Sequence, residues 1–349
     1  MKTKAAVLYE QNQPLVIEEI TIPEPREGQV LVKIIASGIC RTQINEIKGE
    51  KGPDKFLPHT LGHEGAGIVR KVGKNVKKVK KGDHVVLTWI KGNGVDIPSS
   101  KYENNKGFAI NSGAISTFME YAVISENRLV VIPNEMPFNE AALLGCAIPT
   151  GAGIIKNSIN LNKEKSISIF GIGGIGASAL LYASAIGCSK IIAVDVNEKK
   201  LKFALDIGAT QTINPKTENV ISRIKEITDN NGTDYAVECS GKKEAMETAF
   251  ASINNKGIAA IAGNLSFGET ISINPFDLIL GKKIIGTWGG ETKPDTDIPL
   301  YAKMFLSREL KLDKLISHRF RLEEINEAIK LIEKGDVVRA IIVGPDKCI

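Results

Sequence analysis

The chain contains 349 residues, of which 43% are hydrophobic and 24% are charged, and its formal net charge is +5. This length exceeds the size at which a single hydrophobic core usually stops growing, so two domains are expected. The composition excludes an intrinsically disordered protein. The strongest basic run, residues 70–81, has no aromatic residue between its charges. It predicts a solvated turn between two strands, and no nucleic-acid partner is expected.

Five cysteines, at positions 40, 146, 188, 239 and 348, are widely spaced and odd in number. This spacing is unlike a secreted disulfide framework and predicts reduced thiols in the cytoplasm. The apolar stretch at the N-terminus is too short for a signal-peptide core. Residues 166–188 are uncharged and long enough to span a bilayer, but their glycines predict a buried strand, turn and helix instead. No membrane association is expected.

The pattern of elements predicts two kinds of domain. The first third favours short strands, since β-branched and aromatic runs alternate with Gly, Pro and Asn. These strands are 4–9, 29–36, 64–72, 84–89 and 118–123. From about residue 149, strands alternate with helices, which predicts a doubly wound parallel sheet of the Rossmann type. Its predicted strands are 166–170, 191–194, 212–213, 235–238, 259–262 and 283–286. One predicted helix follows the first strand and ends at 187, and two more cover 199–207 and 220–229.

The tail predicts helices over 299–306 and 322–335 and a last strand over 340–343, which return to complete the first domain. The expected fold class is therefore α/β, with a β-rich domain and a Rossmann domain. The expected ranges are 1–148 for the first segment of the β-rich domain, 149–288 for the Rossmann domain and 289–349 for the returning segment.

A glycine fingerprint predicts a dinucleotide site. It follows an apolar strand and opens a helix, which is the context that the motif requires. Gly171 permits the tight turn, Gly173 lets the backbone approach a pyrophosphate, and Gly176 lets the helix pack on the strand. The motif is completed by Gly174 and Ile175. Asp195 ends the next strand, where its carboxylate would bind ribose hydroxyls and repel a 2′-phosphate, so NAD is favoured over NADP.

A metal site is a second possibility. Cys40, His63 and Cys146 offer thiolate and imidazole donors that suit zinc, and Glu64 adds a carboxylate. On spacing alone, core packing of the cysteines competes with a metal site.

Four motifs resemble the zinc-containing medium-chain alcohol dehydrogenases, most closely their class I and class III branches. They are CRT at 40–42, GHEGAG at 62–67, LLGCAIPTGAG at 143–153 and FGIGGIG at 170–176. The similarity covers nearly the whole chain. It implies a GroES-like catalytic domain beside the Rossmann domain, one catalytic zinc, NAD and a homodimer, with a tetramer also compatible.

The resemblance also implies roles for single residues. Cys40, His63 and Cys146 would ligate zinc, with Glu64 as an alternate or outer carboxylate, and Thr42 would bind the substrate oxygen and begin proton removal. The expected cofactor contacts are Arg41 and Arg339 at the pyrophosphate, Lys200 at the ribose and Trp288 by the nicotinamide. Trp89 and Phe118 would line the substrate pocket, although both tryptophans could equally be ordinary core aromatics.

The chain departs from the family in four respects. No cysteine lies between Cys40 and Cys146, so the four-cysteine lobe of a structural zinc is missing and only one zinc is expected. Gln43 replaces an aspartate beside the metal, which affects metal affinity. Asn45 replaces a histidine that passes the proton outward, leaving His59 as one alternative. Glutathione-adduct recognition is not carried over, because it relies on residues around the missing lobe.

The predicted reaction is reversible hydride transfer between a small alcohol and NAD, giving an aldehyde or ketone. A polyol, cyclitol or sugar dehydrogenase of the same superfamily is an alternative. A cofactor-binding protein without catalytic activity is a third and more remote interpretation.

Overall fold

The computed structural model of the protein describes residues 1–335 and 337–344. Contacts divide the chain into two compact units. The first comprises residues 1–146, 293–308 and 316–349, and the second comprises residues 147–292 and 309–315. Among the described residues, no helix combines the length and apolarity that crossing a bilayer would require. Cys348 lies outside the described residues.

The first unit is rich in short antiparallel strands. Its strands are β1 (Lys2–Leu8), β2 (Val16–Thr21), β3 (Gln29–Gly38), β4 (His59–Thr60), β5 (Glu64–Val72), β6 (His84–Thr88), β7 (Lys101–Asn104), β8 (Ala109–Asn111), β9 (Tyr121–Ser125) and β10 (Leu129–Val131). Two short helices, α1 (Arg41–Ile47) and α2 (Phe138–Leu143), interrupt them. The basic run 70–81 forms the end of β5 and the loop before β6, as its composition predicts.

Strands β1, β2, β7, β8 and β4 close a small barrel. A seven-stranded sheet runs in the order β10, β6, β5, β3, followed by two strands from the C-terminal part of the chain, and β9 pairs with β3. Buried aliphatic side chains from both sheets, including Ile20, Val32 and Val85, form the main core. Burying such side chains is the principal favourable term in folding.

The second unit alternates strands and helices. Its elements are α3 (Ala147–Gly153), β11 (Ser166–Phe170), α4 (Gly174–Ala185), β12 (Lys190–Val194), α5 (Glu198–Asp206), β13 (Gln211–Ile213), α6 (Val220–Ile227), β14 (Thr233–Glu238), α7 (Lys243–Ser252), β15 (Ile253–Ile261), α8 (Pro275–Ile279) and β16 (Lys283–Gly286). Helix α3 continues directly into a π-helical turn, Ile154–Ser158.

All six strands of this unit pair in parallel, in the order β13, β12, β11, β14, β15, β16. The apolar stretch 166–188 is the strand β11, the glycine loop and the helix α4, as predicted. The predictions of a β-rich unit and of a Rossmann-type parallel sheet are thus confirmed.

The C-terminal segment returns to the first unit. It contains α9 (Pro294–Leu306), β17 (His318–Phe320), α10 (Ile325–Glu333) and β18 (Ala340–Val343). Strand β18 lies between β3 and β17 in the seven-stranded sheet. Sequence patterning placed the start of α9 at Pro299, which is wrong by five residues. Pro294 occupies the first turn, where a missing N–H is tolerated, and Pro299 lies within the helix.

Candidate metal and dinucleotide sites

Four potential metal ligands converge in the first unit. Cys40 follows β3 at the N-terminus of α1, His63 and Glu64 lie where β5 begins, and Cys146 follows α2. One ligand atom from each of these four residues lies within 4.8 Å of the others. Both cysteines and Glu64 are buried. The structure therefore brings together every residue that the sequence proposed as a metal donor.

Close backbone packing fixes the position of Glu64. A Cβ atom at Gly38 would lie 2.6 Å from the carboxyl carbon of Glu64, so only glycine leaves room for this side chain. The hydroxyl groups of Ser37 and Thr117 donate to the backbone oxygen of Glu64 at 3.0 and 3.1 Å. A carboxylate held in this way is placed by the sheet itself and has little rotational freedom.

Arg339 supplies the counter-charge for Glu64. Its guanidinium is buried and forms an ion pair with the Glu64 carboxylate. Burial lowers the pKa of Arg339, and the nearby Cys40 sulfur partly opposes this effect. The sequence had assigned Arg339 to a cofactor pyrophosphate. The structure pairs it with a carboxylate of the candidate metal group, a contact that no local sequence signal could reveal, and its role at the pyrophosphate stays a prediction.

The electrostatics of the group favour a metal cation. The pKa of the Cys40 thiol lies well below its ordinary value, first because the Cys146 thiol hydrogen-bonds to it and then because His63 and Arg339 place positive charge nearby, which outweighs burial. The Nε2 atom of His63 is buried and has no hydrogen-bond partner within the described part of the chain. Two thiols, an imidazole and a carboxylate form a donor set that fits zinc.

Gln43 connects two of these donors. Its side-chain oxygen accepts a hydrogen bond from the backbone N–H of Cys40 at 3.1 Å. Its side-chain nitrogen contacts Nδ1 of His63. These contacts are consistent with the expected position of residue 43 beside the metal ligands. A carboxylate could only accept a hydrogen bond from the imidazole, whereas an amide can also donate one.

The other residues expected around the substrate and the cofactor differ in burial and in their distance from the metal group. Thr42 is half-buried in the first turn of α1, two positions after Cys40, and Arg41 is exposed beside it. The ring of Trp89 lies 6.5 Å, between centroids, from the ring of His63. Phe118, by contrast, is fully buried in a hydrophobic cluster and is not part of a strand. Its assignment to a substrate pocket is not supported, because its ring packs as a core side chain.

The glycine fingerprint of the second unit has the backbone geometry that a phosphate loop requires. Gly171 has φ +85°, and a Cβ there would lie 2.7 Å from Ser240. A Cβ at Gly176 would overlap the backbone oxygen of Gly171. Helix α4 begins at Gly174 and includes Ile175 and Gly176 in its first turn. The free N–H groups at this terminus and the helix dipole provide a site for a phosphate.

Asp195 lies next to this loop. Its carboxylate accepts from the backbone N–H of Ile172 at 2.7 Å and from that of Asn197 at 2.9 Å. A largely apolar cavity of about 310 Å³ adjoins it, with walls that include Val196, Pro215 and Ala245. Such a cavity between an acidic residue and apolar walls suits a nucleoside. Lys200 lies in α5, and Trp288, after β16, is 76% exposed.

A β-rich unit with a cluster of potential metal ligands and a Rossmann unit with a glycine-rich loop are together typical of an oxidoreductase class. Family comparison agrees with this. Residues 26–134 match the model described as the alcohol dehydrogenase GroES-like domain, and residues 174–307 match that of the zinc-binding dehydrogenases. The chain belongs to the zinc-dependent medium-chain alcohol dehydrogenase family.

Individual relatives are similar over almost their full length. S-(hydroxymethyl)glutathione dehydrogenase of Synechocystis is 34% identical, over 98% of this chain and 100% of that protein. An alcohol dehydrogenase zinc-binding domain protein from Burkholderia ambifaria has a TM-score of 0.92 and 32% identity, covering 99% of this chain and 100% of that one. Benzyl alcohol dehydrogenase from Acinetobacter calcoaceticus has a TM-score of 0.90 and 31% identity, covering 98% and 99%.

Proposed function

We propose that the protein is a zinc- and NAD-dependent alcohol dehydrogenase that interconverts an alcohol and its aldehyde or ketone. The observation that carries the proposal is the convergence of Cys40, His63, Glu64 and Cys146 within 4.8 Å. A chain with this group and a dinucleotide fingerprint has the parts that an alcohol oxidation requires. Zinc would polarise the substrate oxygen, and NAD would accept the hydride.

Each protein residue then has a stated task. Cys40, His63 and Cys146 would hold zinc and leave one tetrahedral position open, as catalytic sites require. Glu64 would act as an alternate or outer carboxylate, and Arg339 would keep it in place and ionised. Thr42, close in sequence to Cys40, would hydrogen-bond the substrate hydroxyl and relay its proton outward.

The cofactor assignment rests on the second unit. The N-terminus of α4 would bind the pyrophosphate, and Asp195 would bind the ribose hydroxyls of NAD and repel the phosphate of NADP. Arg41, exposed at the start of α1, is retained as a pyrophosphate ligand, Lys200 as a ribose contact and Trp288 as a nicotinamide contact. Trp89 would form one wall of the substrate pocket, because its ring lies beside that of His63.

We also propose a homodimer formed through the second unit. Strand β16 is an edge of the parallel sheet. The adjoining segment exposes Phe276, Ile279 and Leu280, of which Ile279 is 77% accessible. An open strand edge beside an apolar patch is unfavourable in water, and pairing with a second copy would cover both.

A substrate panel tests the proposed activity. The zinc-loaded protein is mixed with NAD and simple alcohols, aromatic alcohols or polyols, and NADH formation is followed. We expect turnover of at least one simple or aromatic alcohol, and we expect Cys146→Ser to abolish it without loss of the fold. Turnover of polyols alone would favour the polyol dehydrogenase alternative. Tight NAD binding without turnover of any member would overturn the enzymatic assignment.

A further inference from the structure

We propose that Arg128 is a positioning residue that holds the backbone at Trp89 in place and thereby sets the width of the substrate pocket beside His63. The inference rests on the proposed function, because it takes Trp89 as a wall of that pocket. The Arg128 guanidinium donates from Nη1 to the backbone oxygen of Trp89. The ring of Trp89 lies 6.5 Å, between centroids, from the ring of His63. Arg128 and Trp89 are 39 positions apart, so no local sequence signal marked this contact.

The loop that begins at Trp89 depends on such contacts for its shape. Residues 89–97 contain neither helix nor strand. Four successive residues bind this loop, in the order Ser125, Glu126, Asn127 and Arg128. Their partners along the loop, in the same order, are the backbone N–H groups of Ile97 (2.9 Å), Val95 (2.9 Å) and Gly92 (2.8 Å) and the backbone oxygen of Trp89. The segment 125–128 therefore fastens the loop step by step, and its last contact is the one at Trp89.

The turn that carries Arg128 is itself held by the sheet. Residues Glu126–Arg128 form a single 3-10 turn that joins β9 directly to β10, and all three are buried. Strand β9 pairs with β3 and β10 pairs with β6, so the sheet anchors the turn at both ends. Leu129 lies opposite Leu87 in this pairing, which places Arg128 across from the end of β6. Arg128 is therefore a fixed point for the loop that starts there.

The surroundings of Arg128 are costly for a cation. The residue is 7% exposed, and its Nε atom has no hydrogen-bond partner within the described part of the chain. Burial lowers the pKa of Arg128, and the Asp96 carboxylate partly opposes this effect. Desolvation of a buried cation costs free energy, and apolar side chains of similar volume often replace buried charges without loss of stability. What Arg128 supplies is a charged donor, which binds a carbonyl oxygen more strongly than a neutral donor does.

Tryptophan fluorescence tests the positioning role without reference to catalysis. The chain has two tryptophans, so Trp288→Phe leaves Trp89 as the single fluorophore. In this background we expect Arg128→Met to raise the acrylamide quenching constant of Trp89 at least about twofold and to lower its anisotropy, because the released segment moves more. Arg70→Met, which removes an exposed guanidinium from β5, is the matched control and should change neither quantity. Equal quenching with and without Arg128 would overturn the proposal.

Steady-state kinetics with Trp288 intact test the effect on the pocket. We expect Arg128→Met to raise the KM for benzyl alcohol at least about tenfold, with a smaller change in kcat, because contacts with a bulky substrate are lost in ground state and transition state alike. The KM for ethanol should hardly change, since so small an alcohol needs little of this wall. Equal effects on both alcohols would overturn the specificity role.

Two further measurements separate this inference from other causes. Zinc content and the Kd for NAD should be unchanged in Arg128→Met, and a loss of either would mean that the variant disturbs more than one wall, which would overturn the proposal. A wild type that oxidises no alcohol would overturn the proposed function and, with it, the specificity role. A wild type that is active, with a Trp89 signal indifferent to Arg128, would overturn this inference alone.

Discussion

Gln43 changes the proton arrangement of His63. Its side-chain oxygen already accepts from Cys40, so the amide NH₂ faces Nδ1 of the ring. In this orientation the amide offers a donor to Nδ1, whereas a metal ion on Nε2 requires the ring proton on Nδ1. A carboxylate at residue 43 would accept a proton from Nδ1 and leave the Nε2 lone pair free. In this orientation the amide supports a metal-bound His63 less well than a carboxylate would.

We expect Gln43→Asp to bind zinc about 10- to 100-fold more tightly than the wild type, the usual range for such supporting partners of a ligand. Competition with a chromophoric chelator measures the change. Gln43→Ala, which removes the amide without adding a carboxylate, serves as the control. Unchanged or weaker zinc binding by Gln43→Asp would show that the amide does not govern the His63 ring.

Thr42 is expected to carry the first proton transfer. Asn45, one turn further along α1, cannot titrate, so no imidazole is available at that position. We expect Thr42→Ala to lower turnover at least about 100-fold, the scale of a positioned acid-base group, and Thr42→Ser to be nearly silent. Steady-state kinetics at saturating alcohol and NAD measure the turnover of both variants. Full activity of Thr42→Ala would remove the hydroxyl from the mechanism.

At the scale of secondary structure, the sequence predicted regular elements well where packing is periodic. Alternating apolar strands and helices identified β11 to β16, since both faces of a parallel sheet are buried. It did not predict β7, β8 or α2, which are short and depend on distant partners. The same limit applies to the sites. The glycine loop is local and was recognised, whereas the Glu64–Arg339 pair forms only when remote elements meet.

We expect the loop between β11 and α4 and the end of β12 together to determine the choice between NAD and NADP. Asp195→Ala removes the carboxylate that would bind ribose hydroxyls and repel a 2′-phosphate. We expect the ratio of kcat/KM for NADP to that for NAD to rise in this variant. Asp206→Ala, at the far end of α5, is the matched control and should leave the ratio unchanged. A wild-type preference for NADP would contradict the role of Asp195.

Glu126 holds the loops on both sides of β6. Its carboxylate accepts from the backbone N–H groups of Val95, Lys77 and Lys78 at 2.9, 3.0 and 3.2 Å. Burial alone would raise the pKa of Glu126, but these backbone bonds outweigh it and hold the pKa below its ordinary value. Since the folded-state pKa is depressed, the stabilisation is present above the unfolded-state pKa and is lost as the pH falls through the folded-state value.

Glu126→Gln should therefore lower the free energy of unfolding by about 1–3 kcal/mol at neutral pH, the range for bonds to a charged group. The difference from the wild type should shrink below about pH 4, where the carboxylate of the unfolded chain becomes protonated. Urea unfolding across this pH range measures it, with Glu135→Gln as an exposed control. A difference that does not vary with pH would mean that the ionised form is not what stabilises the segment.

At the scale of the whole molecule, we expect the edge strand β16 and its apolar neighbours to mediate the proposed dimerisation. Ile279→Glu places a charge on the exposed patch without disturbing a core, so we expect it to weaken dimerisation at least about tenfold. Leu205→Glu, an exposed apolar position in α5, is the control and should remain dimeric. Light scattering and sedimentation measure the oligomeric state of both variants. A wild-type monomer at micromolar concentration would contradict the proposed interface, whereas a tetramer would not.

The pairing of Glu64 with Arg339 sets an order for biosynthesis. Because Arg339 lies just before β18, Glu64 can gain its ion-pair partner only after the second unit has been synthesised in full. Until then Glu64 has no guanidinium to neutralise it, and a buried carboxylate without its partner costs about 3–5 kcal/mol. A ribosome that stops before residue 339 would thus release a chain that contains all four potential metal ligands but lacks the guanidinium that neutralises Glu64.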